Sequence, residues 1–127
     1  DIVIVLEDDA FFDYNYLYLL NKYLSNLPEN WDIIFPGSCL DFHADNIDTD
    51  THFYRSARAR GTCMYIINKG IGKKLYEIFQ SQKEISRPFD WWLDDLYKSH
   101  NLLYYWTEPV LVYQGSEIGA FKSELRD

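Results

Sequence analysis

The chain opens DIVIVLEDDAFF, and the junction inside that string constrains the fold more than any other feature. Ile2 to Leu6 is an unbroken apolar run rich in β-branched residues, and it leads directly into Glu7, Asp8 and Asp9. Such a run favours a strand buried on both faces of a parallel sheet over an amphipathic edge. Three adjacent carboxylates repel one another, and any that is partly buried loses costly hydration unless something pairs with it. A cation is the obvious partner. Open α/β sheets bind ligands outside the carboxyl ends of their strands. Hard divalent ions such as magnesium and manganese take carboxylate oxygens, often with phosphate oxygens completing the shell. A solvated acidic turn that simply ends a strand is the plainer alternative.

The rest of the chain supplies a mixed α/β pattern. Asp13 is a plausible N-cap, and Tyr14, Leu17, Tyr18, Leu20, Asn21, Leu24 and Leu27 keep helical spacing until Pro28. WDIIFPG reads as a short buried strand stopped by Pro36 and Gly37. Ser38 to Arg60 is polar and aperiodic, too long for an idle connection, and reads as a functional loop. GTCMYIIN is a strand, and KGIGKKLYEIFQSQ a helix with Ile71, Leu75, Ile78 and Phe79 on one face. RPFDWWLDDLYKSH is a further helix, with Pro88 near its start and acids in its early turns, where the helix dipole favours them. LLYYW and VLVYQ close the chain as strands on either side of TEP. This order predicts one α/β domain over residues 1–127, a sandwich with a mixed, partly parallel sheet.

Composition removes several function classes. A net charge of −8 with only Arg55, Arg58 and Arg60 clustered argues against a nucleic-acid surface. No apolar run approaches the length of a membrane span, and no leader-like start is present, so the expectation is a soluble piece without an address. Its first residue, Asp1, already belongs to a strand, which suggests an internal piece of a longer protein. Cys39 and Cys63 are too few for a disulfide framework and lack the close pairs of a zinc site. Buried free thiols are the simpler reading.

A second acidic group sits in PFDWWLDDL, where Asp90 and Asp94 fall on one helical face at i, i+4 and Asp95 points about 100° further round. Two carboxylates on one face repel, so one can carry a raised pKa and act as a general base. Dipole complementation with solvated charge is the bland alternative. Only one of Trp91 and Trp92 can face any one direction, whether toward a sugar ring or into the core. His43 between Asp41 and Asp45 is better read as loop polarity than as a metal site, while His52 and His100 stand alone. The GIG at Gly70 to Gly72 lacks the third glycine of a dinucleotide fingerprint.

Taken in order, VIVLEDDAFF, WDIIFPGS, GTCMYIINKGIGKKLYEIF, PFDWWLDDL and EPVLVYQGS resemble glycosyltransferase family 25, the family of bacterial lipooligosaccharide galactosyltransferases and collagen hydroxylysine galactosyltransferases. The resemblance implies a GT-A type fold, a UDP-galactose or UDP-glucose donor, a divalent metal, with manganese favoured over magnesium, and inversion at the anomeric carbon. The acceptor it implies is a hydroxyl on a glycan or on hydroxylysine. Carried onto this chain, Glu7 and Asp9 take the outer acids of the metal motif, and Asp9 is the direct ligand. Glu7 or Asp8 holds the donor ribose or metal-bound water. Asp90 becomes the acceptor-side carboxylate, with Asp94 beside it to orient it or the acceptor. Thr62, a donor-side contact, and Tyr65 lie in the family's strand after the variable loop, and Gln114 closes the last strand. One departure matters: in such folds the strands before the acidic motif build most of the nucleotide pocket, and this chain begins at the motif. The donor half is therefore expected from sequence outside it.

Two rivals share parts of this pattern. A phosphatase or nuclease can also bind magnesium at an acidic strand end. Aspartyl-phosphate enzymes, however, continue with a second Asp and then Thr or Val, whereas Ala10, Phe11 and Phe12 follow here. A catalytically silent carbohydrate-binding or assembly module would suit the aromatic content of 18%.

Overall fold

The computed structural model describes residues 1–38, 50–82 and 84–122. Eight strands and three helices are defined there: β1 Ile2–Leu6, β2 Ala10–Phe12, α1 Tyr16–Ser25, β3 Ile33–Phe35, β4 Gly37–Ser38, β5 Phe53–Ser56, β6 Met64–Asn68, α2 Lys69–Ser81, α3 Phe89–His100, β7 Tyr104–Thr107 and β8 Val112–Gln114. A five-stranded sheet runs β1-β6-β3-β7-β5, and a three-stranded sheet runs β2-β8-β4. The large sheet is mixed: β3 and β7 are parallel, and its other pairings are antiparallel. In the small sheet β4 and β8 are parallel, while β2 and β8 are antiparallel. The α/β class with a mixed, partly parallel open sheet is thus present.

Alternation along the strands divides the core in two. Ile33, Phe35, Tyr104, Tyr65 and Ile67 face α2 and α3, meeting Ile71, Trp92, Leu93 and Leu96. Met64 and Phe53 face the other way, onto Tyr23 of α1 and Leu111 and Val112 beside the small sheet. The helices start where local chemistry allows. Asn68 caps α2 by accepting the Ile71 amide at 2.9 Å, and Pro88 occupies the N-cap of α3, where a missing N–H costs nothing. Gly37 is required by close approach, since a Cβ there would stand 2.5 Å from the Cys63 sulfur and 3.0 Å from the Met64 amide nitrogen.

Several expectations are corrected. The Ile2–Leu6 strand is not buried in a parallel sheet: it is an edge, antiparallel to β6, and Ile2, Val3, Ile4 and Leu6 are 39–49% exposed. Apolar runs mark both central and edge strands, and the pairing partner decides which one results. The loop ending at Arg60 contains β5, which pairs antiparallel with β7; its Phe53 and Tyr54 reach opposite faces of the sheet. Asp13 is not the cap of α1. Its carboxylate accepts the Asn15 amide at 2.9 Å in a preceding turn, and Asn15 stands at the N-cap. The acidic triplet forms a tight turn, with Ala10 N–H donating to Glu7 C=O at 3.3 Å, and leads into β2 of a second sheet that the sequence reading did not foresee. Cys63 is buried, its thiol donating to the Val112 carbonyl at 3.9 Å, whereas Cys39, Asp41, His43 and Asp45 lie outside the described residues. No described helix is long and apolar enough to cross a membrane.

One buried ion pair holds the segment before β6. The Arg60 guanidinium lies 3.5 Å from a Glu108 carboxylate oxygen and 3.9 Å from the centroid of the Trp106 ring, with both charged side chains almost wholly buried. Glu108 is itself tied to His52, whose backbone C=O accepts the Glu108 amide at 3.1 Å and whose Nδ1 lies 2.7 Å from the Glu108 carbonyl oxygen. Removing one partner leaves the other buried without it, which typically costs about 3–5 kcal/mol. Arg60→Ala is therefore expected to lower unfolding stability by about that amount in urea titrations. A loss below about 1 kcal/mol would show that the pair does not anchor the segment.

Candidate functional site

The candidate site grows from the turn that carries Glu7, Asp8 and Asp9. The β1–β6 register places Leu6 opposite Met64, and the Glu7 amide donates to the Cys63 carbonyl at 3.1 Å. The Glu7 side chain is then on the same sheet face as Val5 and its cross-strand partner Tyr65, the face covered by α2 and α3. Thr62, just ahead of β6, donates its hydroxyl to Glu7 Oε1. Burial, and secondarily the Glu7 carboxylate, push the Tyr65 phenol above its ordinary value, so these two side chains share one electrostatic neighbourhood.

Asp9 belongs to the other side of the turn. Its carboxylate accepts the Ser116 hydroxyl at 3.1 Å and its carbonyl accepts the Gly115 amide at 2.8 Å. Gly115 permits that approach, because a Cβ there would fall 2.8 Å from the Asp9 carbonyl oxygen and 2.2 Å from the Phe121 ring. Asp8 is exposed at the tip. The triplet is thus split: Glu7 is held by Thr62, Asp9 by Ser116. Gln114, the last residue of β8, lies opposite Ala10 in the small sheet.

Aromatic rings join Tyr65 to the start of α3. Phe89, at the start of α3, has its ring centroid 5.9 Å from that of Tyr65 and stacks on Trp92 at 5.5 Å. Asp90 follows in the first turn, half-buried. Asp94 accepts the Ala59 amide at 2.5 Å. Burial raises its carboxyl above the usual range and the Asp90 charge adds to that, while the Ala59 N–H and the Arg58 and Lys98 charges act the other way. Asp95 points elsewhere and pairs with Arg87 on a half-exposed surface. Of the tryptophans, Trp92 is 7% exposed and donates its indole N–H to Gln82 at 2.8 Å, whereas Trp91 is 54% exposed under the Arg87 guanidinium.

Four residues link the two groups. Ala59 reaches Asp94, Arg60 reaches Glu108, Gly61 adopts φ +80°, and Thr62 reaches Glu7. The sequence reading named Thr62, Glu7, Asp90 and Asp94, and all four lie on this α3 side of the sheet. It did not identify Ser116, Arg60 or the Ala59 amide as partners. The only signals for these were a serine after the closing strand and an arginine among three in a polar stretch.

The donor set is all oxygen, and among the described residues no lysine or arginine forms an ion pair with Glu7, Asp8 or Asp9. That chemistry suits a hard divalent cation. Also among the described residues, no group of three or more His, Cys, Asp or Glu side chains is already gathered as a ligand cage. A cation held by these acids would draw its remaining oxygens from a bound group or from water. A cavity of about 490 Å³ lies by the opposite sheet edge, lined by Asn26, Leu27, Pro28, Asp50, Thr51, Phe53 and Tyr105, with none of the candidate acids in its wall.

No family model, curated protein or solved structure matches this chain. What the fold defines is an α/β chain with a mixed, partly parallel open sheet.

Asp94 offers a direct check on this geometry. Its carboxyl is raised on folding from the ordinary 3.8, so the folded chain holds that proton more tightly than the unfolded one. The stability tied to the proton is present at low pH and is lost as pH rises through the folded value. Asp94→Asn keeps an acceptor for Ala59 and is expected to flatten this part of the pH profile. Asp94→Ala strands a buried N–H and should cost about 1–3 kcal/mol at every pH. Unfolding curves at several pH values decide it, and an unchanged profile in Asp94→Asn refutes the assignment.

Proposed function

We propose that this chain carries the metal- and acceptor-binding residues of an inverting hexosyltransferase that uses a UDP-sugar, galactose or glucose. The observation that carries the reading is the connector 59–62, whose Thr62 hydroxyl reaches Glu7 and whose Ala59 amide reaches Asp94, so that it ties an acid just after β1 to an acid on α3. The order of motifs resembling glycosyltransferase family 25 supports it. In a single displacement two acidic positions are needed, one near the leaving diphosphate and one on the opposite side of the sugar.

Glu7 and Asp9, held apart on Thr62 and Ser116, would have to turn toward each other to hold the divalent metal, manganese or magnesium, with Asp8 and Thr62 toward the donor. The metal, when bound, offsets charge that develops on the departing diphosphate. Asp90 accepts the proton of the attacking hydroxyl as the new oxygen–carbon bond forms, and the pair of the broken anomeric bond leaves with UDP. Asp94, fixed by the Ala59 amide one helical turn on, would orient Asp90 or the acceptor. The acceptor is a hydroxyl on a glycan or on hydroxylysine.

A base acts in the transition state, so Asp90→Asn in the intact protein is expected to lower kcat by about 100-fold or more with little change in donor affinity. Asp95→Asn, which alters only a surface pair with Arg87, should be mild. Steady-state transfer assays with UDP-galactose and UDP-glucose in manganese make the comparison. Near-normal kcat in Asp90→Asn would remove the residue from the role.

A further inference from the structure

Among the described strands that end a sheet, β1 is the one with nothing to discourage a further strand. β5, at the far edge of the large sheet, carries Arg55, and β2 and β4, at the edges of the small sheet, are three and two residues long. β1 is five residues of Ile, Val and Leu, paired to β6 in an unbroken register without charge, proline or bulge, and Ile2, Val3, Ile4 and Leu6 are exposed. Natural edges are usually blunted or covered, because their free N–H and C=O groups template pairing with another strand. Two hydrogen bonds at the ends of β1 show which of its groups are free. Asp1 C=O accepts the Lys69 amide at 3.0 Å and the Glu7 amide donates to Cys63 C=O at 3.1 Å, and both pairs continue the β1–β6 register. The odd-numbered residues therefore turn their backbone groups toward β6, and Ile2, Ile4 and Leu6 turn both N–H and C=O outward.

We propose that the β1 edge is a dimer interface, in which a second copy of this chain lays its own β1 antiparallel to the first about a two-fold axis at Ile4 and joins the two large sheets into one. The occupant follows from the strand itself, because Ile-Val-Ile-Val-Leu reads almost the same in both directions. In that register Ile4 faces Ile4 of the second copy, Val3 faces Val5 and Ile2 faces Leu6, so apolar and mostly β-branched side chains meet at every position. Even residues then stand opposite even residues, and every outward N–H and C=O of each copy finds a partner. A one-residue slip would set outward groups against residues already bonded to β6, and a two-residue slip would leave an end of the strand unmatched. At each end Asp1 comes opposite Glu7 of the second copy, where the Lys69 ammonium, 2.7 Å from the Asp1 carboxylate, is the nearby countercharge. A contact of this kind is isologous, so it closes at two copies rather than growing into a fibre. The inference is independent of the transfer reaction, since it uses neither a metal nor the acids of α3.

One short strand pair is a small interface, near or below the ~1,200 Å² lower end of specific contacts, so the dimer is expected to be reversible and to depend on concentration. Sedimentation equilibrium of the intact protein should show a monomer–dimer equilibrium. Hydrogen exchange read by NMR should follow the alternation along β1: the Ile2, Ile4 and Leu6 amides exchange about tenfold or more slower in the dimer than in the dilute monomer, whereas those of Val3 and Val5 are already protected in the monomer. Ile4→Pro removes an outward N–H that β6 does not use, a change that an edge strand tolerates, and should leave a folded monomer at every concentration. Val3→Lys sets a charge in the middle of the pairing and should do the same. A wild-type monomer at every concentration, whether its outward amides exchange freely or are covered by some other strand, would overturn the proposal. So would a dimer that persists in both variants, or one whose outward amides exchange as fast as those of the monomer.

Discussion

The buried pairing of Arg60 with Glu108, under the Trp106 ring, is the constraint on which the candidate site depends. An isolated buried charge is expensive, so each partner fixes the other, and the flat indole face offers Arg60 a second favourable contact. The consequence is positional more than energetic. With Arg60 fixed, Ala59 stands against Asp94 and Thr62 against Glu7, so one short connector sets the spacing between an acid on β1 and an acid on α3. Glu108 directly follows β7, whose Tyr104 and Trp106 pack in the core beneath α2 and α3, and the anchor is thereby continuous with that core.

Much of the scaffold was legible in the sequence because it rests on periodicity. The 3.6-residue spacing marked all three helices, and the short apolar runs marked β1, β3, β6, β7 and β8. The failures share a cause. β1 has the composition of a central strand yet lies at an edge, since composition reports what a strand can tolerate and only a partner strand decides its place in the sheet. β5 was hidden because only Phe53 and Tyr54 of its four residues are apolar, and its pairing with β7 is a long-range choice. The second sheet was unforeseen for the same reason: β2 and β4 are too short to carry a pattern of their own and exist through β8.

At the candidate site, residue types were legible and partnerships were not. An acidic triplet after an apolar strand, and Asp90 with Asp94 one helical turn apart, are visible in one dimension. That Glu7 turns toward Thr62 while Asp9 turns toward Ser116 depends on the chain passing from one sheet to the other within the triplet. On α3, burial raises the proton affinity of Asp94. A raised carboxyl is a common mark of a base, yet here the same side chain accepts a backbone amide and so serves to position. Asp90 has the freer geometry for the chemistry proposed.

The central claim is that the carboxylates at the β1 end and the start of α3 form one cation- and sugar-binding locus. Paramagnetic broadening by manganese in amide spectra of the intact, isotope-labelled protein tests it most directly, because it reports position even when binding is weak. The account predicts that Glu7, Asp8, Asp9, Thr62, Tyr65, Phe89 and Asp90 broaden first, that a combined Glu7→Gln and Asp9→Asn variant suppresses the effect, and that Asn26, Thr51 and Phe53 by the opposite edge keep their signals. Broadening centred on that opposite edge, or broadening undiminished in the double variant, would contradict it.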